Sequence, residues 1–160
     1  MDADTFRSVL GRFASGITII TARTAAGEDR GMTVSAFCSL SLEPPLVLFC
    51  VDHAAELHPV LAPDVHIGIS ILSSDMEKYS RRFADADART ERFEGIGFAR
   101  GECGVVLIDD ALAHMECRIT ERHEAGDHTI FVARVERARA LEGDREPLLY
   151  YRGGYAPLRP

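Results

Sequence analysis

The sequence predicts an all-β fold, a barrel in preference to a sandwich, and three observations carry that reading. Stretches of β-branched or alternating apolar residues recur from residue 17 onward, roughly six or seven in all, with few helical patterns between them. Turns containing Gly and Asp join several of them at hairpin spacing, and no internal repeat or low-complexity linker interrupts them. Residues 17 to 51 are dense in strand signal without charged edge residues, and closure is one way to remove exposed edges.

The elements follow in order. Residues 4 to 15, DTFRSVLGRFAS, place Phe6, Val9, Leu10 and Phe13 at helical spacing, with Asp4 as N-cap and Gly16 as terminator. ITIITAR, 17 to 23, is a β-branched strand, and AAGEDRG after it is a turn. MTVSAFCSLSLEPP, 32 to 45, alternates with period two. It is expected to send Met32, Val34, Ala36, Cys38, Leu40 and Leu42 into the core and Thr33, Ser35, Phe37, Ser39 and Ser41 to the other face. Pro44-Pro45 stops it, and LVLFCV, 46 to 51, reads as a central strand buried on both faces. His53 to Leu61 suggests a short helix, 66 to 72 a strand, and 73 to 84 a helix. Residues 85 to 110 read as a long surface loop with short ordered pieces. The alternating stretches 111 to 123 and 128 to 141 form a hairpin around the turn 124 to 127, and 147 to 155 ends in a strand and a Gly-Gly bend.

A chain of 160 residues, 46% of them hydrophobic, is expected to form a single domain over 1–160. The net charge of −7 opposes phosphate neutralisation, so no nucleic-acid partner is expected. No apolar run approaches the roughly 20 residues of a membrane span, and MDADTFRSV lacks the basic start of a signal peptide. A cytoplasmic protein with no membrane contact is expected, its cysteines Cys38, Cys50, Cys103 and Cys117 reduced and buried. Lys78 is the sole lysine among 18 basic residues, so a phosphate held by a side-chain cation is expected to be held by arginine.

Four constellations are candidates for chemistry. The Thr/Ser face of 33 to 41 is short enough for a flat ligand to approach the backbone, and its hydroxyls both donate and accept; a strand that simply favours hydroxyls is the competing reading. Ser80-Arg81-Arg82-Phe83 offers a phosphate clamp or a solvated arginine face. His128, after Gly126-Asp127, sits at a turn where it can donate to a carbonyl or remain in water. Tyr150-Tyr151-Arg152-Gly153-Gly154-Tyr155 can stack on an aromatic ligand or pack an interface. Cys50, His53 and His58 have ligand-type side chains but no obvious fourth partner, and no metal is expected. No Gly-x-Ser-x-Gly elbow supports a serine hydrolase.

Taken together, FRSVLGRFASGITIITA at 6 to 22, GMTVSAFCSLSLEPPLVLFCV at 31 to 51, SRRFA at 80 to 84, GDHTIFVARV at 126 to 135 and PLLYYRGGY at 147 to 155 closely resemble the flavin reductase family, the flavin:NAD(P)H reductases that serve two-component monooxygenases. The resemblance implies a mainly β fold, a six-stranded antiparallel Greek-key split barrel with a few short helices that binds FMN or FAD at a homodimer interface. It implies that Thr33, Val34, Ser35 and Ala36 line the isoalloxazine edge largely through backbone groups, and that Ser39 and Ser41 contribute to the pocket. Cys50 and Val51 match a strand end beneath the flavin, and Arg82 with Phe83 matches an Arg-Phe near its phosphate. His128 matches a residue beside the nicotinamide and is the candidate catalytic residue, with Tyr151 and Arg152 near the same mouth. Ala55 stands where many relatives carry a Ser or Thr on the phosphate side.

The implied activity is reduction of flavin by NADH or NADPH, hydride passing from nicotinamide C4 to flavin N5, with the reduced flavin delivered to a separate monooxygenase. The alternatives are a non-catalytic flavin- or haem-binding split barrel, an oxidase of the pyridoxine-phosphate type, and a structural dimerisation domain. Arg89, Arg92 and Arg100 are the loop arginines able to bear on nicotinamide phosphate selectivity.

Overall fold

Asp2, not Asp4, starts the first helix in the computed structural model, which describes residues 1–88 and 91–158. Its carboxylate accepts from Thr5 N at 2.8 Å, and α1 runs Ala3–Leu10. The helix is shorter than the expected 4 to 15. After Gly11, Arg12 and Phe13 bond back three residues to Val9 O and Leu10 O, so the last turn tightens and the chain leaves the axis. No residue of α1 is buried, and its Phe6, Val9 and Leu10 face solvent in the single chain.

The strands are β1 Ser15–Gly16, β2 Thr18–Arg23, β3 Asp29–Val34, β4 Phe37–Leu42, β5 Pro45–Asp52 and β6 His66–Ile71, then β7 Phe98–Arg100, β8 Val106–Ile108, β9 Ala113–Ala125, β10 His128–Ala140, β11 Leu149–Tyr151 and β12 Gly154–Ala156. The helix α2, Glu77–Ala84, follows a 3-10 turn, Ser74–Met76. Seven strands form one antiparallel sheet in the order β3-β2-β6-β9-β10-β5-β4. Its edges, β3 and β4, are consecutive in the chain and joined by Ser35–Ala36, but they do not pair, so the sheet is not closed.

Strands β2, β3, β5, β6, β9 and β10 send Ile20, Val34, Phe49, Ile67, Ile119 and Phe131 into one apolar cluster. Phe49 and Phe131 stack there with ring centroids 5.4 Å apart. A second cluster lies on the outer face of β2, where Ile17 and Ile19 meet Leu72, Met76, Phe83 and Ile108. The β7–β8 hairpin closes over this face, where the Thr21 hydroxyl donates to Val106 O at 2.6 Å. Glycine at 68 permits the approach, since a Cβ there would lie 2.4 Å from Val106 O.

Several expectations are corrected. The strand buried on both faces is β2, because α2 and the β7–β8 hairpin cover its second side; β5 lies next to the edge and buries only Val47, Phe49 and Val51 fully. The expected single strand of 32 to 42 is two strands that turn a corner at Ser35–Ala36. Past that corner the inward positions change: Phe37 packs on the core, while Ala36, Cys38, Leu40 and Leu42 are exposed. Cys117 alone among the thiols is buried; Cys38 is exposed, Cys50 and Cys103 are intermediate, and all four are free. The segment expected to be a helix from 53 to 61 forms only a 3-10 turn, His58–Val60, with Pro59 at its start.

Candidate functional site

The corner between β3 and β4 places Thr33 to Ala36 between two clefts. One, of about 210 Å³, is lined by Met32, Thr33, Ala55, Leu57, Phe83 and Arg92 among others. The other, of about 440 Å³, lies between Leu10, Phe13, Ser15, Ser35, Ala36 and Tyr150. The Thr33 hydroxyl donates to Ser80 O at 2.6 Å, and Val34 O accepts from the Thr18 hydroxyl at 2.8 Å, so both are committed to holding the corner. Ser35 O and Ala36 O accept from Phe37 N and Cys50 N. Among the described residues, the Ser35 and Ala36 N–H groups carry no hydrogen bond. An exposed corner with short side chains and two open donors suits a flat ring with carbonyl acceptors at its rim.

Ser39 and Ser41 lie on β4, opposite Val47 and Leu46, with a register shift between them. The Cys50 N–H to Ala36 O bond, 3.0 Å, fixes the end of β5 against the corner, while Val51 points into the core. Burial, and then the neighbouring Cys38, push the Cys50 thiol up from its ordinary value. Phe83 is buried between Gly31 and Phe93 and also lines the smaller cleft; a Cβ on Gly31 would lie 2.7 Å from its ring. Arg82 donates to Glu94 O at 2.6 Å and so holds the loop, whereas Arg81 lines a third cleft with Tyr150 and Tyr155. Arg92 is buried, donating to Gly31 O and Asp85 O and pairing with Glu56, and Arg100 is paired with Asp29. Arg89 lies outside the described residues.

The β11–β12 turn carries Arg152 at φ 54°, a left-handed conformation uncommon for a side chain other than glycine. Its N–H to Gly11 O bond, 2.8 Å, holds that strained turn against the end of α1. Arg152 also stacks on Tyr151 at 5.2 Å. Tyr150, which sequence reasoning did not select over Tyr151, is the tyrosine that lines the larger cleft; the β1–β11 pairing places it opposite Ser15.

His128 opens β10, opposite Asp52 of β5 and Ala125 of β9. Its Nδ1 lies 2.7 Å from the Asp127 carboxylate, and this bond is the main reason that the carboxyl is held below its usual range. The Asp127 carboxylate accepts from Nδ1–H, so Nε2 is the ring nitrogen left to meet a ligand. Beside it lies a cluster that the sequence reading did not assemble: His53, His58, Thr129 and Glu124. The hairpin was legible, but with Glu124 placed in its turn; the turn is only Gly126–Asp127, so neither the pairing of Thr129 with Glu124 nor the arrival of both histidines was read. Burial, then His53 and Arg122, lower the His58 pKa, and Arg122, then Thr129, lower that of Glu124.

Thus Thr33, Ser35, Ala36 and Phe83 line the two clefts at the corner, Cys50 is bonded to it, and Arg152 borders it through Gly11. Ser39, Ser41, Val51, Arg82 and His128 line neither of these two clefts of the single chain.

The chain is 40% identical over 154 residues to an NADH-dependent flavin reductase of Rhodococcus sp, covering 95% of this chain and 84% of the relative. It is 39% identical to the reductase component of 4-hydroxyphenylacetate 3-monooxygenase from Thermus thermophilus, with 97% and 96% covered. The Streptomyces globisporus C-1027 NADH:FAD oxidoreductase SgcE6, solved in complex with NAD and FAD fragments, superposes with a TM-score of 0.91 at 38% identity, over 99% of this chain and 94% of that one. Residues 10–159 match the flavin reductase like domain throughout, and the chain belongs to that family.

Proposed function

We propose that this protein is an NADH-dependent flavin reductase that supplies reduced FMN or FAD to a separate flavin-dependent monooxygenase. The observation that carries the reading is the Thr33–Ala36 corner, with its short side chains, two open N–H donors and flanking clefts, in a chain of this family. The relatives' names supply NADH as the nucleotide and a monooxygenase as the receiving protein.

Hydride transfer from nicotinamide C4 to flavin N5 is the chemistry that the bound pair supplies. The chain's own residues bind and orient. Ser35 and Ala36 N–H donate to the ring's acceptor edge, where fixed dipoles stabilise developing negative charge. Thr33 and Val34 hold that edge, Ser39, Ser41, Cys50 and the backbone of Val51 complete the bed, and Arg82–Phe83 borders the phosphate side. Ala55, which lines the smaller cleft, offers no hydroxyl there. His128, aligned by Asp127, positions the nicotinamide, and Tyr151 and Arg152 flank the mouth.

The same proposal takes residues 1–160 as one domain, the seven-stranded sheet as a variant of the Greek-key split barrel, and the working form as a homodimer. The apolar side chains that one chain leaves exposed on α1 and on β4 support the dimer, which offers them cover. The four free thiols support a cytoplasmic location.

The test is NADH consumption in air by the purified protein with and without FMN, FAD or riboflavin. Saturation with added flavin is expected, and no consumption with any flavin overturns the reading. His128→Ala is expected to weaken NADH affinity and turnover; unchanged values remove the positioning role.

A further inference from the structure

Three ligand-type side chains from separate segments converge beside the β9–β10 turn. His53 and His58 come from the segment after β5, and Glu124 from the end of β9. One donor atom from each lies within 4.8 Å of the other two. The Thr129 hydroxyl marks the point of convergence, 3.2 Å from His53 Nε2, 2.8 Å from His58 Nε2 and 3.0 Å from Glu124 Oε2. Thr129 is fully buried and pairs with Val51, so the fold fixes that point. The two imidazoles meet edge-on, centroids 5.0 Å apart at 65°, an arrangement that brings ring nitrogens together.

We propose that His53 Nε2, His58 Nε2 and Glu124 Oε2 form a binding site for a divalent cation of the zinc class, with the fourth coordination position open to water. Two imidazoles and a carboxylate suit zinc and its neighbours better than calcium or magnesium, which call for oxygen-rich shells. Tetrahedral coordination at ordinary bond lengths places donors roughly 3.4 Å apart. The His53–Glu124 pair, now 2.8 Å apart, opens by about half an ångström to reach that spacing, and both side chains are exposed enough to move.

Arg122 binds the other oxygen of the Glu124 carboxylate at 2.5 Å and so orients it, as outer partners orient ligating groups. Each imidazole binds the cation through a deprotonated Nε2 and keeps its proton on Nδ1. Glu124, not Cys50, completes the trio with the two histidines. The cation ties the 53–58 segment to the hairpin that carries His128. The site does not depend on the reductase reading.

A second group, His66, Cys103 and Glu136, has one histidine in place of two and serves as the control. The experiment is titration of the purified protein with Co²⁺, followed by optical spectroscopy and displacement with Zn²⁺. One saturable cation per chain, with the intense visible bands of a four-coordinate site and release by Zn²⁺, is expected. His58→Ala and Glu124→Gln are each expected to weaken binding at least about tenfold, and Cys103→Ala to leave it unchanged. Absence of saturable binding, unaltered binding in His58→Ala, or loss in Cys103→Ala overturns the proposal; melting curves of each variant without metal establish that it is folded.

Discussion

Residues 32 to 34 and 37 to 42 belong to one alternating stretch and meet opposite fates. In β3 the alternation is obeyed: Val34 is buried, and the Thr33 hydroxyl is spent on Ser80 O. In β4 the residues expected inside are outside, with Leu42 90% exposed and Leu40 47%. The difference is what lies beyond each strand. Both are edge strands, but the outer face of β3 meets α2, whereas β4 has only β5 beside it, so its apolar side chains have no cover within one chain. Alternation reports that one face is covered; it does not say by which molecule.

The comparison breaks most sharply in the wall on which both halves rest. Phe49, fully buried and paired with Phe37, is expected to cost about 3–5 kcal/mol when replaced by alanine, read from urea unfolding. A loss below about 1 kcal/mol shows that the cluster is not the core described.

The thiols give the same contrast in pH. Burial pushes the Cys117 thiol from 9.0 up to about 12, while Cys38 on β4 is exposed. Above pH 9 the unfolded Cys117 thiol loses a proton that the folded one keeps, so stability falls as pH rises toward about 12. Between pH 9 and 11 the wild type is expected to lose about 1.4 kcal/mol per pH unit more than Cys117→Ala. Parallel pH profiles of the two proteins refute this.

Thr33→Val removes one donor to Ser80 O and is expected to cost about 1 kcal/mol in thermal unfolding, with weaker flavin binding because the corner loosens. An unchanged melting temperature separates the corner from α2. Smallest in stability is Leu42→Asp, expected to alter unfolding of the chain by less than about 0.5 kcal/mol. On the proposed homodimer, its effect is expected in light scattering as a shift from dimer to monomer; a variant that matches the wild type in mass places Leu42 outside the proposed interface.

Much of the strand content was legible because β-branched runs and turns are local signals: β2, β6 and the β9–β10 hairpin lie close to their expected positions. The corner at Ser35–Ala36 was not, since neither residue is Gly or Pro and the bend is imposed by long-range partners such as Cys50 N. Thr33 and Ser35 could be nominated from the short hydroxyl side chains they present, and Ala36 only through the family resemblance. The open N–H groups of Ser35 and Ala36 could not, because backbone satisfaction is a property of the finished sheet. Tyr150 was hidden by the adjacent Tyr151, and the His53–His58–Glu124 group by its separation along the chain.

The sheet order has a consequence for the chain as it is made. Hairpin β9–β10 closes through two residues and can form locally, but β5 must wait for β10, more than seventy positions later, before His128 meets Asp52 and Thr129 meets Val51. A nascent chain that has not reached residue 128 holds the Ser35–Ala36 corner and the whole lining of the smaller cleft, but lacks Tyr150 and Gly153 of the larger one. The larger cleft is thus completed only when β11 pairs with β1, after every strand of the seven-stranded sheet has been made.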